Sequence, residues 1–363
     1  MAPRSPAAGR DGAKLSIGLV ASARYPIREP FAGGLEAHTW QLATGLRRRG
    51  HDVTVFGGTD SDPDLRVQTM PVLPALSTQA RMDVSMPADY FIAEHHAYLG
   101  LMLDLGAAGR CDLVHNNSLH YLPIAMASTL RTPTLTTLHT PPTPWLESAV
   151  RLRSPRHTSF AAVSAHTARQ WSSLVPGITV VRNGVDLDRW TPGAGSGVPV
   201  WFGRIVPEKG PELAIRAALE AGTGLRLAGP LPDTDYFREQ IEPLLGKEIE
   251  YLGHLAHHDL VHLVGSASVA VVSPRWEEPY GLVVAEALAC GTPVAGFARG
   301  ALPEILDASS GALATPDDVT GLATAIAIAS TLDRAAARQR AETACSVDRM
   351  VDEYVQLYRE LLS

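Results

Sequence analysis

The chain has 363 residues, 45% of them apolar and 19% charged, with a net charge of −7. That length and composition suit two globular domains with sizeable cores and exclude a disordered or low-complexity chain. The acidic balance argues against nucleic acid as a partner, three scattered cysteines argue against a disulfide framework or a zinc site, and no run of 18 apolar residues offers a membrane span.

Residues 1–14, MAPRSPAAGRDGAK, lack the apolar core of a signal peptide and read as a disordered leader. With so few cysteines, a reducing cytoplasm is the expected location. LSIGLVASA is a continuous apolar run, the pattern of a buried parallel strand. A long loop ending in Gly33-Gly34 leads into LEAHTWQLATGLRRRGH, where Leu35, Trp40, Leu42 and Leu46 have helical spacing, three arginines suit the negative helix end and Gly50 stops it. DVTVFGG is the next strand, which completes a βαβ opening. Residues 59–89 read as strand plus loop, and Asp89 to Leu105 as a helix. CDLVHNNS and TPTLTTLHT are strands, with LPIAMASTL a helix between them. PPTPWLESAVRLRSPRH leads into a basic amphipathic segment. Trp145, Leu146, Val150 and Leu152 alternate there with Arg151, Arg153 and Arg156, which leaves open a weak membrane-surface contact. FAAVSAHTARQW and ITVVRNGVDLDRW close this half.

TPGAGSG (191–197) is the linker candidate. A second series of strands follows in VPVWFGRI, TGLRLAGP, KEIEYLGH, SASVAVVSP, TPVAGF and GALATP. Between them lie the helical runs ELAIRAALEAG and FREQIEPLLG, and after them VTGLATAIAIASTLDRAAARQRAETACS and VDRMVDEYVQLYRELL. The alternation predicts two doubly wound parallel sheets facing each other across a cleft, with ligands at the strands' C-terminal ends. Charge divides between the halves: residues 1–190 hold 18 basic and 15 acidic side chains, residues 191–363 hold 13 and 23. The first half is the better face for an anionic acceptor.

The densest chemistry lies in SPRWEEPYGLVVAEALACGTPVAGFARGALPE (273–304). Glu278 stands in a loop and Glu286 in the helix behind it, with a glycine-opened helix start between them. Free N–H groups at that start can hold a phosphate while the carboxylates hold hydroxyls, which is the charge order of a sugar nucleotide. The same pair could instead be a glycosidase-like acid and base, or two surface glutamates. Arg204 and Lys209, after a strand in WFGRIVPEKG, could clamp a diphosphate and stabilise charge on a leaving nucleoside diphosphate, or form a solvated loop. Gly33-Gly34 either lets backbone approach a phosphate or only turns a helix start. His139, at a strand end, could donate to a sugar hydroxyl or to developing phosphate charge, and His115 and His120 are candidates for the acceptor side. The HDLVH run (His258, Asp259, His262) has aspartate where a zinc helix needs glutamate, and the DxD triplets at 62–64, 186–188 and 233–235 follow no clear strand. No metal is expected.

Together these motifs resemble retaining glycosyltransferases of family 4, which have the GT-B architecture. The resemblance runs in order through GGLEAHTWQLATGLRRRGHDVTVFGG, VSAHTARQW, VRNGVDLDRW, FGRIVPEKGPELAI, LAGP and WEEPYGLVVAEALACGTPVAGFARGALPEIL, and covers most of residues 15–310. It implies an α/β GT-B fold of two Rossmann-like domains: an acceptor-side domain over 15–190, a donor domain over 191–346 and a helix over 347–363 that crosses back. It implies a hexosyltransferase that takes a nucleoside-diphosphate sugar, UDP favoured, to a hydroxyl acceptor that is a small molecule, a glycan or a lipid-linked sugar. It needs no cofactor or metal. His139, Arg204, Lys209 and Glu278 would surround the reacting centre. Gly33, Gly34, His254, Tyr280, Gly281, Leu282, Val283 and Glu286 would complete the donor site. A sugar-nucleotide epimerase and a non-catalytic sugar-nucleotide-binding subunit are the alternatives on the same architecture.

Overall fold

The computed structural model describes residues 13–109, 111–154 and 157–363. The leader expected over 1–14 lies outside them up to residue 12, and so does Arg156. Among the described residues thirteen strands form two sheets. The first contains β1 (Ser16–Val20), β2 (Asp52–Gly57), β3 (Gln68–Thr69), β4 (Leu113–Asn116), β5 (Thr134–Leu138), β6 (Thr158–Ala162) and β7 (Thr179–Val180), in the order β3-β2-β1-β4-β5-β6-β7. The second contains β8 (Val200–Phe202), β9 (Leu225–Ala228), β10 (Ile249–Tyr251), β11 (Ala270–Val272), β12 (Val294–Phe297) and β13 (Gly311–Ala314), in the order β10-β9-β8-β11-β12-β13. Every pairing is parallel. The central strands are buried on both faces, with Ile17, Leu19 and Val20 of β1 wholly inaccessible, and this is why β1 reads as an unbroken apolar run, whereas the edge strand β3 is exposed. This is the GT-B architecture of two Rossmann-like domains. Strand order reverses between β1 and β4 and between β8 and β11, and at such reversals the strand ends open a crevice.

Three expected helices differ. LPIAMASTL makes one α turn (Leu122–Ala125) and then a 3-10 turn (Ala127–Thr129). The Thr129 hydroxyl donates to the Met126 carbonyl at 2.7 Å, a local bond that competes with helix propagation. FREQIEPLLG forms a π turn over Phe237–Ile241 and a 3-10 turn over Glu242–Leu244, because Pro243 has no N–H to continue an α-helix. The alanine-rich run divides into Val319–Ala329 and Arg334–Ala344. Asp333 forms the break by capping the second helix through the Ala335 N–H.

The glycine linker is not loose. Gly193, Gly195 and Gly197 donate to the carbonyls of Cys290, Gly265 and Ser266. The final helix, Val347–Leu362, starts at a Ser346 cap and packs on the Gly34–Arg48 helix. A Cβ at Gly45 would lie 2.6 Å from Val351, so the helices approach at backbone distance. Val347, Met350, Val351, Tyr354 and Tyr358 share one core with Ile17, Leu19 and Leu42. At about 1.5–3 kcal/mol for each large apolar side chain buried, this anchors the chain's end on the first domain.

No described helix is long and apolar enough to cross a membrane. In the Pro144–Leu152 helix, Leu146, Ala149 and Val150 point into the core, Arg151 pairs with Glu147 at 2.6 Å and Arg153 donates to the carbonyls of Val150 and Leu174. Leu146 and Val150 of the stripe are thus taken up internally, while its Trp145 and Leu152 stay exposed at 58% and 83%.

Candidate functional site

The loops after β8 and β11 are pinned together before they present any charge. The Ser273 hydroxyl, just past β11, donates to the Gly210 carbonyl at 2.8 Å and accepts from the Trp201 indole at 3.3 Å. Gly210 has φ +60° and lies so close to the Ser273 carbonyl that a side chain would collide. Lys209 is fixed by this junction. Its Nζ lies 2.5 Å from Glu278 Oε2 and 5.1 Å from the Trp276 ring centre. The Trp276 indole N–H donates to the same Oε2 at 3.0 Å. The Glu278 backbone is clamped from behind, where Ala301 N–H donates to its carbonyl and Gly300 packs against it.

Gly281, at φ +96°, then opens the Leu282–Ala289 helix without any side-chain cap. The first N–H groups of that helix have no intrahelical acceptor, the arrangement that suits an anion. Glu286 stands one turn further on. It keeps some solvent contact, yet no hydrogen-bond or ion-pair partner among the described residues reaches its carboxylate, and burial pushes its pKa up to about 8. Arg204 is exposed and 3.5 Å from Glu208. It also faces Glu36 of the first domain, a carboxylate raised by burial and partly relieved by that arginine. Gly34 meets this group from the opposite sheet: a Cβ there would lie 2.9 Å from Leu282 Cδ1. The domains thus touch at the helix start itself.

His139 lies at the end of β5. Its Nε2 donates to Asn117 Oδ1 at 3.0 Å, and His38 stands edge-on at 4.9 Å between ring centres. The ring therefore offers Nδ1 as an acceptor, not the N–H donor expected from sequence. Burial holds His139 well below the usual histidine range and brings His38 to about 4, so both are neutral near pH 7. Around them Asn117 Nδ2 is buried without a hydrogen-bond partner and His38 faces the Asn183 side chain.

Family relationships follow from this architecture. The Glycosyltransferase Family 4 model matches residues 32–189 and the Glycosyl transferases group 1 model matches residues 195–344. The chain is 30% identical to the glycogen synthase of Mycobacterium tuberculosis (strain CDC 1551 / Oshkosh), over 89% of this chain and 87% of that protein. The chain is a GT-B glycosyltransferase. It is also 29% identical to the D-inositol 3-phosphate glycosyltransferase of Mycolicibacterium smegmatis, over 81% and 78% of the two chains. Its fold matches that of Anabaena HepE, solved with UDP and glucose, at a TM-score of 0.73 and 19% identity over 95% and 100% of the chains.

Two residues of this glycosyltransferase occupy other places than expected. His115 has no exposure: its Nδ1 lies 2.7 Å from the Tyr358 hydroxyl and its Nε2 2.7 Å from the Thr137 hydroxyl. It joins the last helix to the sheet and does not face an acceptor. Tyr280 is only 3% exposed, with its ring in the core under the Leu282–Ala289 helix, so its side chain is not offered to the donor. His254 is exposed after β10, beyond Gly253 at φ +80°. His120 is half-buried among aromatic rings. Leu282 and Val283 are half-buried, and Gly33 precedes the Gly34–Arg48 helix in extended backbone.

The first acid of each DxD triplet caps a local turn: Asp62 accepts from Asp64 N–H, Asp186 from Asp188 N–H and Asp233 from Tyr236 N–H.

Sequence reasoning missed Glu36, Trp276 and Glu304. Glu36 had a visible signal, a carboxylate in the first turn behind two glycines. Glu304 had none. Its carboxylate accepts the backbone N–H groups of Ala165 and His166 at 2.9 and 2.5 Å and lies within 3.8 Å of Arg169 and Arg182. The Ser164 and Thr167 hydroxyls donate to the Pro279 carbonyl, and His166 lies 3.2 Å from Glu277. These contacts latch the first domain onto the loop that carries Glu278.

Proposed function

We propose that this chain is a retaining family 4 glycosyltransferase acting in the cytoplasm, which moves a hexosyl unit from a nucleoside-diphosphate sugar, UDP-linked in preference, to a hydroxyl acceptor without a metal. The observation that carries the reading is Lys209 held against Glu278 and Trp276, beside an uncapped helix start that faces Gly34 across the cleft.

Arg204, Lys209 and the helix N–H groups take the donor diphosphate. Glu278 accepts hydrogen bonds from the sugar hydroxyls and Glu286 from the ribose. His139 accepts from the sugar through Nδ1. The sugar C1–O bond to phosphate breaks while C1 bonds to the acceptor oxygen on the same face, and the acceptor hydroxyl proton passes to the leaving phosphate oxygen. The two cations stabilise the negative charge that builds on the diphosphate. Closure around the latch aligns the acceptor and excludes water.

The test is to incubate the protein with UDP-, GDP- and ADP-sugars, with and without EDTA, and follow products by NMR. Slow release of nucleoside diphosphate plus free sugar of retained anomeric configuration, unaffected by EDTA, is the expected result. An epimerised sugar nucleotide would make the protein an isomerase, and binding with no turnover across candidate acceptors would make it a binding subunit.

A further inference from the structure

The final helix, Val347–Leu362, buries seven side chains, and five of them are apolar. The other two, Tyr354 and Tyr358, are wholly inaccessible and carry hydroxyls that must find partners. Both find them on the two strands that lead to Asn117 and His139. The Tyr358 hydroxyl lies 2.7 Å from His115 Nδ1, and the Tyr354 hydroxyl lies 3.0 Å from Thr137 Oγ1. His115 Nε2 and Thr137 Oγ1 lie 2.7 Å apart, which links the two tyrosines through one chain of bonds.

Strand geometry carries this anchorage towards the cleft. Residues i and i+2 of a strand share a face. His115 and Asn117 stand in that relation at the end of β4, where Asn117 N–H still donates to the Val20 carbonyl as in the ladder. Thr137 and His139 stand in the same relation at the end of β5. The parallel pair β4 and β5 is therefore joined by two side-chain rungs. His115–Thr137 is the first, and Asn117–His139, at 3.0 Å, is the second and lies nearer the strands' C-terminal ends. The helix holds the first rung at both ends. It also reaches the second, because His38 lies edge-on to the Tyr354 ring at 6.1 Å and to the His139 ring at 4.9 Å.

Packing alone does not call for this arrangement. Apolar side chains on the helix would fill the space with no hydroxyl to desolvate, whereas a satisfied polar network selects one arrangement of its members. Burial holds His115 well below the usual histidine range, so its ring is neutral and carries one N–H. An imidazole bonded at both nitrogens cannot rotate without losing both bonds.

We propose that Tyr354 and Tyr358 are positioning residues: through His115 and Thr137 they set the Asn117–His139 rung, and so the direction in which His139 presents Nδ1 to the donor sugar. This rests on the glycosyltransferase reading above, and it makes the last helix part of the reacting side as well as an anchor for the chain's end.

The test is a double-mutant cycle on the full chain. Tyr354→Phe and Tyr358→Phe each remove one oxygen and keep the ring, and each is made in the parent and in His139→Ala. Thr137→Val removes the shared partner from the strand side and repeats the cycle without touching the helix. Hydrolysis of UDP-, GDP- and ADP-sugars gives kcat, ligand-observed NMR gives UDP binding, and nitrogen-15 spectra of histidine-labelled protein report the His139 ring, assigned by its loss in His139→Ala. Each exchange should lower kcat by about tenfold in the parent, leave UDP binding as it was, shift the His139 ring signals and cost nothing further in His139→Ala. An equal loss of kcat in both backgrounds would mean a general weakening of the fold and overturn the proposal. Parental kcat in both tyrosine variants, unshifted His139 signals, or parental kcat in His139→Ala would overturn it too. Where His139→Ala has no measurable turnover, the ring signals decide. If the parent hydrolyses none of the sugar nucleotides, the glycosyltransferase reading fails, and the ring signals judge the positioning by themselves.

Discussion

Replacing Glu286 with Gln should make the protein more stable at alkaline pH and weaken its hold on a sugar-nucleotide donor. The carboxyl ionises near 4.5 when solvated and at about 8 in the folded protein, with burial as the cause. A carboxylate raised on folding adds stability that is fully present below pH 4.5 and is lost as pH rises through about 8. A tenfold change in an acid's ionisation constant is worth about 1.4 kcal/mol, so the ionised group costs roughly 3–5 kcal/mol once pH exceeds 8. Glutamine keeps the shape and removes the ionisation. At pH 9 the variant should melt roughly 6–10 °C above the parent, taking about 2 °C per kcal/mol for a chain of this size. At pH 4 the two should melt together. Differential scanning calorimetry between pH 4 and 9 measures the difference, and a melting difference that does not change with pH would refute the burial argument. The same variant should bind UDP-sugar about tenfold more weakly at pH 9, where the parent carboxyl is ionised, because a neutral amide accepts ribose hydroxyls less well than a carboxylate. Stability gained where function is lost is the expected sign of a strained binding group.

Lys209→Ala should leave Glu278 half-buried without its cation and lower donor turnover by at least a hundredfold; kinetics together with an unchanged circular dichroism spectrum checks this, and near-parental activity would remove Lys209 from the site. Gly34→Val should collide with Leu282 and lower kcat/KM by about tenfold to a hundredfold, with Leu282→Ala in the same chain recovering part of the loss; no recovery would mean that the contact is not the cause. Glu304→Ala removes a charged acceptor from two backbone N–H groups across the domain contact, a loss of about 2–4 kcal/mol from the closed form. Small-angle scattering should show a larger radius of gyration and kcat should fall, whereas an unchanged radius would mean that the latch does not hold the domains.

Much of this was legible in the sequence because parallel strands covered on both faces must be apolar throughout. β1 and β11 announced themselves that way, and with them the points where chain reversals place ligands, whereas β5 is rich in threonine. Glu278, Glu286, Lys209 and Gly34 stood out because glycines, cations and carboxylates fell just past strand ends. What failed was long-range. Tyr280 follows Pro279 in a loop full of polar residues, and nothing local says that its ring turns under the next helix. His115 and His139 each lie at a strand's C-terminal end, and only the returning Tyr354 and Tyr358 decide that one is sealed and the other open. Glu304 meets a helix start 138 residues away in sequence, a pairing that no period or motif records.

The two halves of the cleft are built by different means. Around Lys209 and Glu278 the loops are set by backbone turns. Gly210, Gly281 and Gly300 hold positive φ, and Ser273 ties two loops to one another, so a single substitution in a turn displaces Lys209 and Glu278 together. The acceptor side is fixed by side-chain stacking on helices and loops, where a ring can be exchanged without moving the sheet behind it. A donor bound by phosphate and ribose groups common to many sugar nucleotides needs that fixed frame. Relatives named a glycogen synthase and a D-inositol 3-phosphate glycosyltransferase differ in activity, and a surface fixed by side-chain stacking is one that can change independently of the sheet.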